Sequence, residues 1–422
     1  MSEWKEYKFS DIAEVIGGGT PDTFNVSYWN GDIPWLTPKD LTGYSKIYIS
    51  KGERNITSDG LKNSSAKLLP KDTVLLTTRA PIGYVAIAEN EIATNQGFKN
   101  FVLKKDYADC KFVYYWLKNN IDYLRSIGTG TTFAEISGSV VKEIKILLPP
   151  LSEQKSIASI LSSLDDKIDL LHRQNATLEK MAETLFRQWF VERRPEPVEG
   201  EAKEEWESRP LSSIANFLNG LACQKFPPKN DIEKLPVLKI KELNSGISEN
   251  SDWATTEVNP EYIVKNGDVI FAWSASLMVK IWDGQDCILN QHLFKVTSEY
   301  YPKWFYYLWC KYHLDEFIVK AASHATTMGH IKRSDLDEAM VLIPSDKELE
   351  EMTLEVEPLI SKIINNNKQI KLLVNLRDIL LPKLMSGEIR VESHRDETSV
   401  ETNNDTATLS PVGAAYKTNQ HG

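Results

Sequence analysis

The 422-residue sequence has few cysteines, no long apolar run and no apolar segment at its beginning. Its four cysteines, Cys110, Cys223, Cys287 and Cys310, are scattered without a CxxC pair, which argues against a disulfide framework and against a zinc site. No run approaches the roughly eighteen apolar residues of a membrane span, and MSEWKEYKFSD lacks the apolar centre of a signal peptide. These absences predict a cytoplasmic protein with reduced thiols and no membrane partner.

An excess of positive charge is also absent. The net charge is −10, which argues against a uniformly basic coat for nucleic acid. Six of the ten excess negative charges lie in 192–209 and 388–422, so the remaining parts are nearly neutral and can still carry a local basic face. Hydrophobic residues make up 41% and charged residues 26%, which is typical of folded globular protein, and the length predicts two or three domains.

The chain contains two copies of one pattern. A single shift of 195 residues brings a series of identical residues into correspondence, and it holds along more than a hundred residues of the chain. Near the start the shift is 202, so the first copy has seven extra residues between Leu36 and Val74. The matches include Trp4 with Trp206, Gly18 with Gly220, Val74 with Val269, Asn95 with Asn290, Ile136 with Ile331, Pro149 with Pro344 and Leu185 with Leu380.

Each copy begins with short apolar runs broken by Gly, Pro, Asn and Asp, which predict strands and loops. A short aromatic helix (KFVYYWLKN in one copy, KWFYYLWCKY in the other) and then a long helix follow. The composition therefore predicts an α+β chain with the following parts. They are a first globular domain over 1–150, a long helix over 151–192, a charged linker over 193–209, a second globular domain over 210–344, a long helix over 345–387 and a disordered tail over 388–422.

Both long helices carry a heptad seam. Apolar residues alternate at steps of four and three, which is typical of a coiled coil, and one asparagine interrupts each seam. Because each helix follows its own domain, we expect the two helices to pack antiparallel, so that the domains are related by a pseudo-twofold axis. The seam residues are Leu161, Ile168, Leu171, Asn175, Leu178 and Leu185 in the first helix and Val356, Ile363, Asn366, Ile370, Leu373 and Leu380 in the second.

The two asparagines predict a register. If Asn175 faces Asn366, the numbers of paired residues sum to 541 and every layer joins an a position to a d position. A buried pair of amides disfavours slipped registers at some cost in stability. The alternative is that each helix packs separately on its own domain.

Three residues depart from the seam pattern. Pro358 and Pro382 lie within the second helix and are expected to start, kink or end it. Arg377 occupies a core position and is expected to extend its charge to solvent or to meet Asp165 or Asp166.

The sequence resembles the specificity subunits of Type I DNA restriction–modification enzymes over residues 1–390. The resemblance lies in LPPLSEQKSIASIL at the first long helix, in TTRAPIG and NQGF, in LLPKLMSGEIRV and in the two-copy layout. It implies two target-recognition domains that each read half of a split site in double-stranded DNA, and paired helices that set the gap. It also implies two methyltransferase subunits, which carry S-adenosylmethionine, and nuclease-translocase subunits as partners. The chain itself would then be non-catalytic and would hold no cofactor. The second copy departs from the family pattern, with IPSDKELEEM in place of LPPLSEQKSI.

Polar side chains in the loops are the expected readers of base edges. Residues that agree between the copies are alternatively explained as caps of strands and turns, whereas residues that differ, such as Arg79 and His292, are better candidates. In the first domain the candidates are Thr77, Thr78, Arg79, Asn95, Gln96, Lys99, Thr129, Thr131 and Thr132. In the second they are Trp273, Ser274, Ser276, Asn290, Gln291, His292, His324, Thr326, Thr327 and His330.

Motifs of catalysis and metal binding are weak. The segment from Asn259 to Tyr262 resembles the Asn-Pro-Pro-Tyr of adenine methyltransferases with one mismatch, and we interpret it as a turn. The segment from Gly17 to Thr20 lacks the GK[ST] ending of a phosphate loop. The histidines have no metal-ligand spacing, so no metal site is predicted. Two alternatives to a non-catalytic reader stay open: a fused methyltransferase with its own recognition domains, and a protein-interaction scaffold without a DNA role.

Overall fold

The structure is a computed structural model that describes residues 3–79, 81–130, 134–192, 206–323 and 329–391. Most of the predicted linker (193–205) and almost all of the predicted tail (392–422) lie outside these residues. None of the described helices is both long enough and apolar enough to cross a membrane. All four cysteines are free thiols, and burial raises the pKa of each of them, that of Cys110 to about 11.

The first domain combines short strands with short helices. Its described strands are β1 (Lys5–Lys8), β2 (Ala13–Gly17), β3 (Trp29–Leu36), β4 (Tyr48–Ile49), β5 (Arg54–Ile56), β6 (Val74–Thr78), β7 (Ile82–Ala88), β8 (Ala93–Thr94), β9 (Phe98–Leu103) and β10 (Lys145–Leu148). Its described α-helices are α1 (Phe9–Ile12), α2 (Ser58–Lys62), α3 (Cys110–Asn119), α4 (Ile121–Ser126) and α5 (Gly138–Glu143). The first long helix, α6 (Leu151–Arg187), follows directly and continues as a turn of π-helix over Gln188–Glu192.

The second domain has a similar order of elements. Its described strands are β11 (Glu207–Pro210), β12 (Asn216–Asn219), β13 (Lys234–Leu238), β14 (Trp253–Thr255), β15 (Ile263–Val264), β16 (Val269–Ala272), β17 (Met278–Ile281), β18 (Cys287–Leu289), β19 (Leu293–Thr297) and β20 (Met340–Ile343). Its described helices are α7 (Leu211–Ile214), α8 (Ile240–Ser245), α9 (Lys303–Tyr312), α10 (Leu314–Ser323) and α11 (Arg333–Glu338), and the second long helix is α12 (Asp346–Met385). The strand β11 begins at Glu207, three residues before the predicted start of the domain.

The sheets have the same topology in both domains. The order β2-β9-β6-β7 in the first corresponds to β12-β19-β16-β17 in the second, and β1-β10 corresponds to β11-β20. In the smaller sheets, β3 is parallel to β8 and β13 is parallel to β18. The copies differ in the segment with the seven extra residues, where β4 adds a fifth strand beside β7 in the first domain. The pairing of β15 with β18 recurs in the first domain as the β-bridge between Leu69 and Ile92. The expected α+β class and the internal repeat are confirmed.

The two long helices pack against each other in opposite directions. Asp165 of α6 contacts Arg377 of α12, and farther along α6 Asn175 contacts Asn366, so residue numbers rise on one helix as they fall on the other. The expected antiparallel pairing is therefore confirmed, and Arg377 meets Asp165, one of its two expected partners. The alternative of two separate helices is wrong.

The helix α12 continues through Pro358, so this proline neither starts nor ends the helix, and the expectation of a kink there stays a prediction. Pro358 lacks the N–H that would bond to an earlier carbonyl. Its neighbours Val356 and Ile360 are fully buried in the core of the second domain, and this packing holds the helix together. Pro382 lies in the last turn, which ends at Met385.

Each domain shares its core with both long helices. The core of the first domain includes Ile157 and Leu161 from the beginning of α6, together with Leu384 and Met385 from the end of α12. The residues 195 positions away do the same in the second domain: Met352 and Val356 begin α12, and Phe190 lies in the π-turn that ends α6. This exchange gives the molecule its pseudo-twofold arrangement, in which each domain is fixed to the helix pair at one end.

Candidate nucleic-acid interface

The end of β6 is held by a returning segment of the first domain. Ile136 donates a backbone hydrogen bond to the carbonyl of Thr78 over 3.0 Å, and Arg79 forms an antiparallel β-bridge with Glu135. Glu135 and Thr129 also exchange two backbone hydrogen bonds of 2.9 and 3.0 Å. The side chains of Arg79 and Glu135 are therefore held next to each other at one place on the surface.

The second domain has the same backbone arrangement with different side chains. We call this arrangement, in which the returning segment is bonded to the end of β6 or β16, the frame. Ile331 donates a backbone hydrogen bond to the carbonyl of Trp273 over 3.1 Å, and Ser274 forms a β-bridge with His330. These four residues are the equivalents of Ile136, Thr78, Arg79 and Glu135 at the shift of 195. The backbone is thus preserved between the domains while the side chains that it presents are exchanged.

In the first domain this frame carries a group of charges. Glu135 contacts Nε of Arg79 at 3.4 Å and Nζ of Lys99 at 4.0 Å. The Arg79 side chain is 49% exposed, whereas that of Lys99 is only 14% exposed. Arg79 also lines a cleft of about 300 Å³ together with Thr37, Pro38, Lys39, Asn95, Gln96 and Gly97. Sequence reasoning missed Glu135 and Lys39, although the repeat places Glu135 opposite His330, which was a candidate.

Asn95 supports the turn that follows β8. Its Oδ1 accepts a hydrogen bond from the backbone N–H of Gly97 over 2.9 Å. A Cβ on Gly18 would lie 1.9 Å from the carbonyl oxygen of Asn95, so only glycine fits there. The same relationship recurs in the second domain between Gly220 and Asn290. The shared residues hold the turn, which favours the alternative of a structural role for the two asparagines.

The other candidates of the first domain fall into two groups. Thr77 and Thr78 are fully buried in β6, and their hydroxyls donate to the carbonyls of Pro81 (2.7 Å) and Gly97 (3.4 Å), which favours a structural role. Gln96 and Thr129 are exposed, and the Gln96 side chain bonds to the hydroxyl of Thr20. Thr131 and Thr132 lie outside the described residues.

The second domain brings four of its candidates together. The ring of Trp273 stacks on Phe294, and its centroid is 6.1 Å from that of His292 and 6.2 Å from that of His330. The Ser274 hydroxyl is 3.1 Å from Nδ1 of His292, and Trp273 donates from Nε1 to Asn219 over 3.2 Å. His292 and His330 are exposed, and Ser274 is buried. Sequence reasoning missed Asn219.

Two further candidates of this domain have described positions. Ser276 is exposed, directly after Ala275, which has a left-handed backbone (φ 58°). Gln291 is half-buried and accepts from the Asn290 amide over 3.3 Å. His324, Thr326 and Thr327 lie outside the described residues.

The candidate residues of the helix seam are all buried or half-buried. At its centre, Asn366 donates to Asn175 over 2.9 Å and Asn175 donates to Asn367 over 2.6 Å. The first contact falls where the sum of 541 places it. The fully buried members are Leu161, Leu171, Val356, Asn366 and Ile370, and the half-buried ones are Ile168, Asn175, Leu178, Leu185, Ile363, Leu373 and Leu380.

A charged cluster crosses the seam near the first domain. Arg377 donates from Nη1 to Asp165 over 2.8 Å, and the hydroxyl of Tyr115 donates to the same carboxylate over 2.7 Å. Burial lowers the pKa of Arg377, but its hydrogen bonds to Asp165 and Asp378 outweigh burial and raise it. Burial and the nearby Arg377 lower the pKa of Lys118. The cluster ties α3, α6 and α12 together.

Near the second domain a comparable cluster ties α6 to α9. Lys311 contacts Glu179 at 2.6 Å and Glu183 at 2.5 Å, and Tyr307 donates to Glu179 over 2.7 Å. Burial would raise the pKa of Glu179, but the hydrogen bonds from Lys311 and Tyr307 lower it on balance. Each domain is therefore fixed to the helices by ionic contacts as well as by its core.

The Glu-Gln pair at the beginning of α6 is buried. Glu153 accepts two hydrogen bonds from Arg390, from Nε over 2.7 Å and from Nη2 over 2.9 Å. The Gln154 side chain accepts from the N–H of Asp109 and donates to the carbonyls of Tyr107 and Pro149, each over 2.9 Å. These residues therefore build the junction between the first domain and its helix.

The segment that resembles a methyltransferase motif forms a turn. Pro260–Tyr262 is a single turn of 3-10 helix capped by Asn259, so the interpretation of this segment as a turn is confirmed. Among the described residues, no group of three His, Cys, Asp or Glu could hold a metal ion.

The structure thus consists of two similar α+β domains, one at each end of an antiparallel helix pair. The sequence matches the Type I restriction modification DNA specificity domain over residues 1–180 and 203–375, one match for each copy. The chain therefore belongs to the family of Type I restriction–modification specificity subunits, which are the non-catalytic subunits of these enzymes.

Curated relatives and a solved structure agree with this assignment. The chain is 39% identical over 412 residues to the MjaIX specificity subunit of Methanocaldococcus jannaschii, which covers 92% of this chain and 94% of that protein. It is 21% identical to the HindI specificity subunit of Haemophilus influenzae, over 92% and 100% of the two chains. The crystal structure of the S subunit from M. genitalium has the same fold, with a TM-score of 0.58 and 16% identity over 91% of this chain and 96% of that one.

Proposed function

We propose that this subunit reads an asymmetric, bipartite site in double-stranded DNA, with one half-site bound by each domain. The observation that carries the proposal is the pair of equivalent frames at the ends of β6 and β16. They hold Arg79 and Glu135 in one domain but Ser274 and His330 in the other. Equal backbones with unlike side chains suit the reading of two unlike half-sites, because base edges are distinguished by the donors and acceptors that face them.

The exposed candidates are the proposed readers. Each of them is a polar side chain on or beside one of the two frames, where it can reach a base edge or a phosphate. Thr77, Thr78, Asn95, Lys99 and Ser274 instead support these readers from inside the domains. The proposed readers are Arg79, Gln96 and Thr129 in the first domain, and Ser276, His292 and His330, with Trp273 beside them, in the second.

The two long helices are the proposed spacer. At about 1.5 Å per residue, α12 with its 40 residues is about 60 Å long, and the asparagine pair fixes its register against α6. Because each domain is packed onto both helices, the length and register of the helix pair set the distance between the domains. The gap between half-sites is then a geometric constant, as the spacing is in dimeric DNA-binding proteins.

We further propose that the helices and domains dock two methyltransferase subunits, through which nuclease-translocase subunits join. S-adenosylmethionine would be bound by the methyltransferase. The second copy lacks the Glu-Gln motif, having Leu349 where the first has Gln154. Gln154 is 1% exposed, and Leu349 packs beside the core of the second domain. The difference therefore concerns internal packing and does not by itself make the docking surfaces unequal.

The spacer is tested by inserting one heptad into each helix at the layer of Asn175 and Asn366. Seven residues add about 10 Å, so the methylated sequence should show a gap longer by about 3 base pairs at about 3.4 Å each. An unchanged gap would refute the spacer. A heptad in α6 alone is the control, because it breaks the register and should reduce methylation without producing a new gap.

The two alternatives make different predictions. A fused methyltransferase would bind S-adenosylmethionine as an isolated chain, which equilibrium dialysis measures. A scaffold without a DNA role would give no gel shift with DNA even when the methyltransferase subunits are present. We expect no cofactor binding by the chain alone and a specific shift with the complex.

A further inference from the structure

We propose that Glu135 is a positioning residue that holds Arg79 for the recognition of one guanine in the half-site of the first domain. This inference rests on the proposed function, because it requires that the first domain reads DNA. Beyond the proposed function, it names one recognised base pair and the two side chains responsible: the half-site contains a G·C pair, and the Arg79 guanidinium, held by Glu135, binds its guanine.

The geometry of the ion pair leaves the outer edge of the arginine available for a base. The Glu135 carboxylate makes its shortest contact with Nε of Arg79, at 3.4 Å, and Nε is the nitrogen joined to the side-chain stem. The terminal nitrogens Nη1 and Nη2 form the outer fork. Such a fork matches O6 and N7 of guanine in the major groove with two parallel hydrogen bonds. With 49% of its side chain exposed, Arg79 can reach a groove.

Glu135 is itself held from two sides. Its backbone forms the β-bridge with Arg79 and exchanges hydrogen bonds of 2.9 and 3.0 Å with Thr129. Its other carboxylate oxygen lies 4.0 Å from Nζ of Lys99, which is mostly buried. A long arginine loses rotamer freedom when it binds, and a partner that orients it beforehand reduces this cost. The fixed carboxylate provides this orientation.

The charge of Glu135 argues against a role in general DNA affinity. A carboxylate next to DNA is repelled by phosphates. An ion pair as exposed as this one, with 49% and 36% of its side chains in solvent, contributes little to stability. Arg79 and Lys99 together neutralise the carboxylate, so Glu135 affects recognition through the direction that it gives to Arg79.

The second domain provides an internal control. Its equivalents of Arg79 and Glu135 are Ser274 and His330, so it has no arginine at this place. The guanine contact therefore belongs to one half-site only. A change at Arg79 or Glu135 should alter one position of the recognised sequence and leave the second half-site as it is.

The test uses the full chain in complex with its methyltransferase subunits and a library of duplexes in which both half-sites are randomised. Sequencing of the methylated duplexes gives the base preference at each position. Arg79→Lys keeps the charge but loses the planar fork, so the preference for guanine at one position should fall roughly 5- to 100-fold. Glu135→Ala should weaken the same preference, and Glu135→Gln should keep more of it because it keeps the length and shape of the side chain beside Nε while losing its charge.

The matched control is Glu143→Ala, which removes a carboxylate from an exposed ion pair of 2.6 Å with Lys8 in the same domain. It should leave the recognised sequence unchanged. The inference is overturned if the first half-site has no G·C pair, if Arg79→Lys and Glu135→Ala leave the preference unchanged, or if they weaken all positions of both half-sites alike. A wild-type complex without a two-part site would overturn the proposed function as well, whereas a two-part site that both substitutions leave unchanged overturns only this inference.

Discussion

Asn366 donates a hydrogen bond from its Nδ2 to the Oδ1 of Asn175 over 2.9 Å, between two helices that run in opposite directions. The Oδ1 of Asn366 is buried, and no described residue donates to it. The seam thus keeps a pair of amides among apolar layers at a cost in stability. A slipped register would leave these amides without partners, so the pair selects the observed alignment.

Asn175→Leu should lower the free energy of unfolding by about 1–3 kcal/mol, because it removes the acceptor of a buried amide. Asn175→Leu combined with Asn366→Leu should recover most of this loss, since both amides of the pair are then gone and Asn367, the other partner of Asn175, is only half-buried. Denaturant unfolding of the two single variants and the double variant measures the coupling. Gln174→Leu, at an exposed neighbour, is the control. Additive effects of the two substitutions would contradict the prediction.

Asp165→Ala should destabilise the protein by about 3 kcal/mol, because it leaves Arg377 mostly buried without its cross-helix partner. The Arg377 and Asp165 side chains are only 28% and 16% exposed. Asp378→Ala removes the other partner of Arg377, but its side chain is 57% exposed, so the loss should stay below about 1 kcal/mol. Thermal unfolding of both variants compares the two losses, and equal losses would be the contrary result.

Gln154→Leu should loosen the junction between the first domain and α6. The substitution leaves the N–H of Asp109 and the carbonyls of Tyr107 and Pro149 without the partners described above. Each unsatisfied buried group costs about 1–3 kcal/mol. Hydrogen exchange should speed up at the Asp109 amide. Lys155→Ala, at the exposed next residue, should leave this exchange unchanged, and protection that survives in Gln154→Leu would refute the prediction.

The lowered pKa of Glu179 predicts that the protein loses stability in acid. Its pKa in the folded protein lies below the ordinary value of 4.5, so its contribution is present above pH 4.5 and is lost as the pH falls through the folded value. Glu179→Gln should therefore flatten the acid side of the stability curve between about pH 5 and 3. Glu355→Gln, at an exposed position of α12, should not. Melting temperatures across this range check the prediction, and parallel curves for wild type and Glu179→Gln would contradict it.

The parts of the fold set by periodicity could be predicted. The heptads and one polar residue in each seam led to the antiparallel pair, and Arg377 found its partner because a buried cation needs a nearby carboxylate. Pro358 misled the prediction, since the local rule for proline is overridden by the buried neighbours that fix the helix. Such tertiary packing cannot be read from propensity alone.

The candidate interface was less predictable from sequence. Thr77 and Thr78 are polar, yet β6 continues through them and their hydroxyls bond to carbonyls inside the domain. Side-chain type does not distinguish an exposed threonine from one that is satisfied internally. Glu135 was missed because its importance lies in its contact with Arg79, which is 56 positions away in the chain.

The shared cores also constrain how the protein is made. Leu384 and Met385 belong to the core of the first domain, although the ribosome adds them more than two hundred residues after that domain's own sequence has been completed. Until α12 has been synthesised, the apolar surface of the first domain that Leu384 and Met385 cover is exposed to solvent. A chain that ends between the two copies keeps this apolar surface exposed.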